Sequence, residues 1–339
     1  MKPLLSISLT LATLLMCQGC DVSEENIPDA PDSGEYIDFA VAGEDDDSLT
    51  RSVTTTLNIN NFKVSAYAQD AYGTYHTLMD QVTVRRTGQN SWTYSPKVNW
   101  PGVPVDFFAV SPASVKVDNN AWWNHTINYS IGTGDRDLLV AVRMRAEQKS
   151  GPLKLNFRHA LTRINISLQT DRRDVRIEVR NVTLHGAPDH GVFTFPTAST
   201  TPGTDPGEIF SQWETHSTTK SGTDMTFFQS SADLPHTLSD KQWEAYSAGK
   251  LMIPFDLTPF EAGTSLNGTY IAVACRYVDA ASGETVWPDN STPLLLRWHI
   301  DPGYGLAVFP LADTTPGSRW LPGRYYHYTL ILSDFPALP

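Results

Sequence analysis

The feature that most limits what this chain can fold into is a long succession of short segments whose apolar residues fall at every second position. Clusters of Gly, Pro, Asn, Asp and Ser separate them. In EYIDFAVAG (35–43), Ile37, Phe39 and Val41 share one face, and in NNFKVSAYA (60–68), Phe62, Val64, Ala66 and Ala68 do the same. HTLMDQVTVRR, SWTYSPKVNW, PVDFFAVSP, DLLVAVRMR and PLKLNFRHALTRINISLQ continue the pattern up to a polar break, TDRRD (170–174). After the break come VRIEVRNVTLHG, GVFTF, TDMTFFQ, LMIPFDL, GTYIAVACRYVD, TPLLLRWHI and RYYHYTLIL. A period of two puts successive side chains on opposite faces of a strand, so each segment reads as a half-buried β-strand. In the longest segment, Leu153, Leu155 and Phe157 are odd-numbered whereas Ile164, Ile166 and Leu168 are even, which predicts a bulge near His159-Ala160. Only SDKQWEAYSA (239–248) reads as a short helix, with Ser239 as its cap. The fold expected is all-β, with two β-sandwiches in tandem over residues 35–170 and 171–339.

The N-terminus bears on compartment. Lys2 precedes an almost wholly apolar run, Leu4 to Met16, which has the length of a signal-peptide core and falls short of the ~20 residues a membrane span needs. Residues 1–20 are read as the signal peptide. The run ends in Cys17-Gln18-Gly19-Cys20, which resembles the lipobox of bacterial lipoproteins, although Cys17 stands where that pattern has Leu. The resemblance implies cleavage between Gly19 and Cys20, acylation of Cys20, and anchoring at about 0.8 kcal/mol per buried CH₂. Plain secretory cleavage is the alternative. Beyond residue 20 only Cys275 remains, so an intramolecular disulfide, a zinc ribbon and a CxxC redox site are excluded from the mature chain.

The formal net charge is −12, a sign that disfavours a nucleic-acid partner. From Asp21 to Thr50 every charged residue is acidic, and the first basic residue after the signal is Arg51. Residues 21–34, DVSEENIPDAPDSG, bury too little apolar surface to fold and read as a flexible acidic tether. Ser23-Glu24-Glu25 resembles the acidic surface-export signal of such lipoproteins; a merely solvated tether is the alternative.

Three ordered segments resemble the fimbrillin (Mfa-like) family of surface lipoproteins of Bacteroidales-type Gram-negative bacteria. Trp100-Pro101 with VDFFAVSP (105–112) is similar to the family's W-P and F-Y-A-Y-S-P stretch. DLLVA (137–141) followed by LNFRHALTRI (155–164) resembles D-L-L-x-A with L-x-F-x-H-A-L-A-R-I, and WLPGRYYHYTL (320–330) resembles the closing W-x-P-G-x-x-Y-x-Y-T-L. As packing features, Asp137 would bond backbone amides at a strand entry and His159 would satisfy a bulge. The resemblance implies transthyretin-like sandwiches, no cofactor, no catalysis and location on the outer membrane or in a fimbrium. It also implies strand exchange between subunits. A trypsin-like protease cuts after an Arg beyond the first strand, that strand is lost, and a neighbour's strand fills the groove. Here Ile37, Phe39 and Val41 mark the exchangeable strand, and Arg51-Ser52 is the processing bond, unless Arg51 is an ordinary loop residue. The short tail Ser333 to Pro339 contains two prolines, poor residues for a donor strand.

Other residues admit a sharp reading beside a plain one. Trp122-Trp123, in the polar stretch DNNAWWNHT, would stack on a sugar of a host or bacterial surface ligand, or else cover the end of a sandwich. That reading makes the chain a carbohydrate-binding surface lipoprotein. His185, Asp189 and His190 in HGAPDHG are either a metal site or a surface turn. The chain has no nucleophile elbow, HExxH, P-loop or dinucleotide fingerprint, so it is not expected to be an enzyme.

Overall fold

The computed structural model describes residues 35–43, 59–88, 91–131, 136–215, 224–231, 233–312 and 318–338. In chain order the first strands are β1 (Phe39–Gly43), β2 (Asn61–Gln69), β3 (Tyr75–Arg86), β4 (Trp92–Thr93), β5 (Val105–Ser111), β6 (Asp118–Ala121), β7 (Asn124–Ser130), β8 (Leu139–Ala146) and β9 (Leu153–His159). Then come β10 (Thr162–Gln169), β11 (Val175–His185), β12 (His190–Thr194), the short helix α1 (Pro206–Phe210) and β13 (Trp213–Thr215). The remainder are β14 (Met225–Gln229), β15 (His236–Thr237), β16 (Trp243–Glu244), β17 (Lys250–Met252), β18 (Glu261–Ala262), β19 (Leu266–Asn267), β20 (Tyr270–Asp279), β21 (Thr285–Trp287), β22 (Gly305–Pro310) and β23 (Tyr325–Ile331).

The fold is all-β and built from two β-sandwiches. The N-terminal one sets a seven-stranded sheet, β1-β9-β8-β5-β2-β3-β4, against a four-stranded sheet, β13-β12-β7-β6. Its central strand β5, VDFFAVS, is buried at every residue, because both of its faces are covered. Val105, Phe107 and Ala109 point into one core with Phe39, Phe62 and Phe157. Phe108 and Val110 point into a second core with Ile127 and Phe193 of the four-stranded sheet and with Phe195 just past β12. The first core lies within the curl of the seven-stranded sheet, whose two edges approach each other: Phe39 of β1 meets Tyr94, just past β4, at 5.5 Å.

The C-terminal sandwich packs β10 and its neighbours against a sheet centred on β11 and β20. β10 pairs antiparallel with β16 and β17 and parallel with β23. β11 and β20 pair over Val175–His185, and Ile164, Ile166 and Leu168 meet Ile177, Val179 and Val182 in the shared core. Cys275 is a free thiol in this core, pushed above its ordinary pKa by burial.

Three expectations differ from the structure. The phase change at His159-Ala160 is not a bulge. β9 ends at His159 and β10 begins at Thr162 in another sheet, so the inward parity changes because the chain changes sheets. Strand pairing also does not follow a single cut at residue 170, since β10 joins the C-terminal sandwich while β12 and β13 return to pair with β7. Finally, residues 239–248 are not helical. Trp243 stacks on His236 at 3.7 Å and meets Phe228 edge-on at 4.7 Å, and this packing draws Trp243–Glu244 into a strand beside β10. The helix forms instead at Pro206–Phe210, where Asp205 caps it by accepting from Gly207 N at 2.6 Å and Pro206 opens the first turn.

On the outer face of the β11–β20 pair, the buried Glu178 carboxylate accepts from Arg176 Nε at 2.7 Å and Arg276 Nε at 2.8 Å. Burial acts to raise its pKa, but the two guanidinium groups outweigh burial and hold it below the ordinary value. A depressed carboxyl adds stability above its unfolded pKa of about 4.3, and that contribution disappears as pH falls through the folded value. Both arginines are partly solvated, so Glu178→Gln should cost only about 1–2 kcal/mol at pH 7. Urea unfolding at pH 7 and pH 3 should show the gap between wild type and variant narrow at the lower pH; an equal gap at both would refute the ionic account.

Candidate functional site

The residues marked for exchange lie in a slot. Ile37 and Phe39 are buried and Val41 is half-buried. On one side β1 pairs parallel with β9 from Phe39↔Leu153 to Gly43↔Phe157, and Leu153 N donates to Asp38 O at 2.7 Å. On the other side the chain after β4 returns along the residues leading into β1. Ile37 N donates to Val98 O at 2.9 Å, Trp100 N donates to Glu35 O at 3.0 Å, and Tyr36 bridges Asn99 in antiparallel sense. Residues 35–38 are therefore bonded on both flanks and close the curl of the seven-stranded sheet.

The floor of the slot is aromatic. Phe39 meets Phe62, Tyr94 and Phe107 edge-on at 5.8, 5.5 and 6.1 Å, the arrangement that ring quadrupoles favour. Tyr94 Oη donates to Ile37 O at 2.8 Å, and burial pushes this phenol above the ordinary tyrosine value. At the rim Lys97 pairs with Asp38 at 2.8 Å, and its ammonium sits 4.7 Å from the centre of the Tyr94 ring. The slot can thus bind one extended segment running parallel to β9, with an apolar residue at position 37 and an aromatic one at 39.

Sequence reasoning marked the strand but missed what holds it. Tyr94, Lys97 and Val98–Trp100 lie in SWTYSPKVNW, which reads as one more strand. Its Tyr and Trp, flanking a Ser-Pro turn, were the available signal. Gly19, Cys20, Arg51 and Ser52 lie outside the described residues. Arg51 falls midway along the chain between Gly43 and Ile59, the described residues on either side of it.

The other marked residues are placed as follows. Trp122 is stacked on Tyr75 with ring centres 3.4 Å apart and planes 8° apart, at the tip of the β6–β7 hairpin. Its neighbour Trp123 is 55% exposed. The pair therefore offers one free ring rather than a two-ring platform. His159 does not fill a bulge, and its ring meets the Asp137 carboxylate at 2.7 Å where β8 begins beside the end of β9. His185 pairs with Asp224 and His190 with Asp189, both at 2.6 Å, so the two histidines do not converge. Among the described residues no group of three or more His, Cys, Asp or Glu is placed to hold a metal ion.

The tail after β23 is docked on its own sandwich. Arg172 donates to Ser333 O at 2.8 Å, Tyr277 Oη donates to Asp334 O at 3.0 Å, and Phe335 lies against Tyr277 at 5.4 Å.

Several solved structures are similar to this chain. A candidate cell adhesion protein of Bacteroides uniformis is 13% identical, with 88% of this chain and 94% of that chain covered and a TM-score of 0.45. A candidate cell adhesion protein of Bacteroides ovatus is 12% identical over 88% and 92% of the two chains, with a TM-score of 0.47. A fimbrilin of Porphyromonas gingivalis is 11% identical over 90% and 98%, with a TM-score of 0.37. No curated protein matches. The profile of the fimbrillin-like family matches residues 50–294, most of the sequence, and the chain belongs to that family.

Proposed function

We propose that the chain is a structural subunit of a cell-surface fimbria, exported as a lipoprotein through Cys20 and assembled by exchange of its first strand. The observation that carries this reading is the slot. β1 is the first described strand, is bonded on both flanks near its start, and sits over an aromatic pocket. Arg51 follows it as the first basic residue after an unbroken acidic stretch. Cleavage after Arg51 would cut the covalent link between β1 and β2. Residues up to Gly43 would then be held by noncovalent contacts alone: ladder bonds, the Tyr94–Ile37 and Gln148–Glu35 hydrogen bonds, the Lys97–Asp38 pair and the burial of Ile37 and Phe39. An empty slot would present unpaired groups of β9 and of residues 98–100 to a strand from another subunit, which is β-augmentation. The docked tail supports a subunit that accepts a strand rather than one that extends its own C-terminus as donor. The partners in this reading are other fimbrial subunits, a trypsin-like protease and the outer membrane.

Arg51→Ala should fold normally and remain monomeric, whereas limited trypsin treatment should convert wild type into a ladder of heat-resistant oligomers. Denaturing gels without boiling read the difference. Equal assembly by the two proteins would refute processing at this bond.

A further inference from the structure

We propose that the acidic segment Asp21–Gly34 docks on a basic depression beside the start of β1 and acts as an electrostatic latch on that strand. The depression, about 320 Å³, is lined by Trp100, Arg143, Glu147, Lys149, Leu153 and Lys154 among others. Three of these six are cationic and one is acidic. Lys149 and Lys154 are exposed and Arg143 is half-buried. Among the described residues none of the three cations makes an ion pair.

Chain continuity identifies the occupant. Lys154 lies opposite Ala40 in the β1–β9 register. Upstream of β1 the chain runs back past the loop before β9, where Gln148 Nε2 donates to Glu35 Oε2 at 2.7 Å. The next residues toward the N-terminus are 21–34, which carry Asp21, Glu24, Glu25, Asp29 and Asp32 and no basic residue. Asp32 is within about 11 Å of Glu35 along an extended chain, and Asp29 within about 22 Å. Single exposed ion pairs contribute little. Several carboxylates tethered next to three cations that make no ion pair among the described residues act at a high effective concentration, however, and together they hold the leading end of β1 against β9. The attraction is between solvated groups and is screened by salt.

Docking does not depend on strand exchange; its effect on strand release rests on that reading. Carbodiimide coupling of the full mature chain at low salt tests docking. Peptide mapping should find Lys149 or Lys154 joined to an acid within 21–34, with yield falling at roughly 0.5 M salt. The Lys97–Asp38 pair, 2.8 Å apart, is the internal positive control. If the control forms while neither lysine joins that segment, or if both join Glu44–Asp47 instead, the proposal is overturned. The second arm compares wild type with Lys149→Glu/Lys154→Glu after cleavage at Arg51. The variant should lose its first strand on the order of 5-fold faster at low salt and no faster at high salt. Equal rates at low salt would contradict the latch. Retention of the strand by both proteins would count against strand exchange and leave the coupling result to decide docking.

Discussion

Replacing Phe39 with alanine should destabilise the first strand by about 3–5 kcal/mol, the usual cost of removing a buried phenylalanine from a core that cannot collapse around the gap. Phe39 is 4% exposed and its ring meets Phe62, Tyr94 and Phe107, each of which belongs to a different part of the curled sheet. The three rings are fixed from outside β1, by β2, by the segment after β4 and by β5, so the cavity should persist. The effect should be local before it is global. Amide exchange at Leu153, whose N–H donates to Asp38 O, should accelerate far more than exchange at Val140 or Val142 in β8. Phe39→Leu should restore most of the protection, because it refills volume without restoring the ring contacts. Unchanged exchange at Leu153 in Phe39→Ala would mean that the pocket does not hold the strand.

Gly186→Ala should be comparably severe, at about 3–5 kcal/mol, and should act on the C-terminal sandwich. Gly186 follows β11 at φ 74°, a left-handed conformation that costs a residue with a Cβ about 1–2 kcal/mol. An added Cβ would also lie 2.1 Å from Gly268 O and 2.8 Å from Gly268 C. Those are backbone atoms of a second left-handed glycine, at φ 93°, which is itself confined by Pro259 O. No side-chain rotation relieves the contact, so the β11–β20 pair must separate at this end, where His185 faces Tyr270. Gly151→Ala separates strain from clash: Gly151 has φ 90° but nothing within 4 Å of a built Cβ, so it should lose only about 1 kcal/mol. Thermal unfolding of the two variants measures both. Similar losses would show that conformational strain alone accounts for Gly186.

The sequence reading was most reliable where each residue depends only on its own strand. Alternation placed Ile37, Phe39 and Phe62 on a buried face because a period of two is a local property of the backbone. It could not place β1 beside β9, since Leu153–Phe157 carries no mark of its parallel partner more than a hundred residues away. The β5 segment VDFFAVS shows the same limit: its unbroken apolar character signals burial on two faces but does not say which sheets cover them. Trp243 misled because local helix propensity lost to packing against Phe228 and His236, residues of the two preceding strands that a reading of 239–248 alone does not include. Asp137 and His159 were each read alone, although the fold joins them. At the slot, the plug was legible and the socket was not, because Tyr94 reaches Ile37 O with its hydroxyl and Phe39 with its ring while Val98–Trp100 act through backbone bonds, and no local pattern says which distant strand they face.

The central claim is that β1 fills a slot from which it is removed after export. N-terminal mass spectrometry of the precursor and of subunits recovered from assembled fibres tests it directly. The precursor should begin at an acylated Cys20, and the assembled subunits should begin at Ser52 with no residue of 35–43 present. Assembled subunits that still begin at Cys20 and retain Ile37, Phe39 and Val41 would contradict the account.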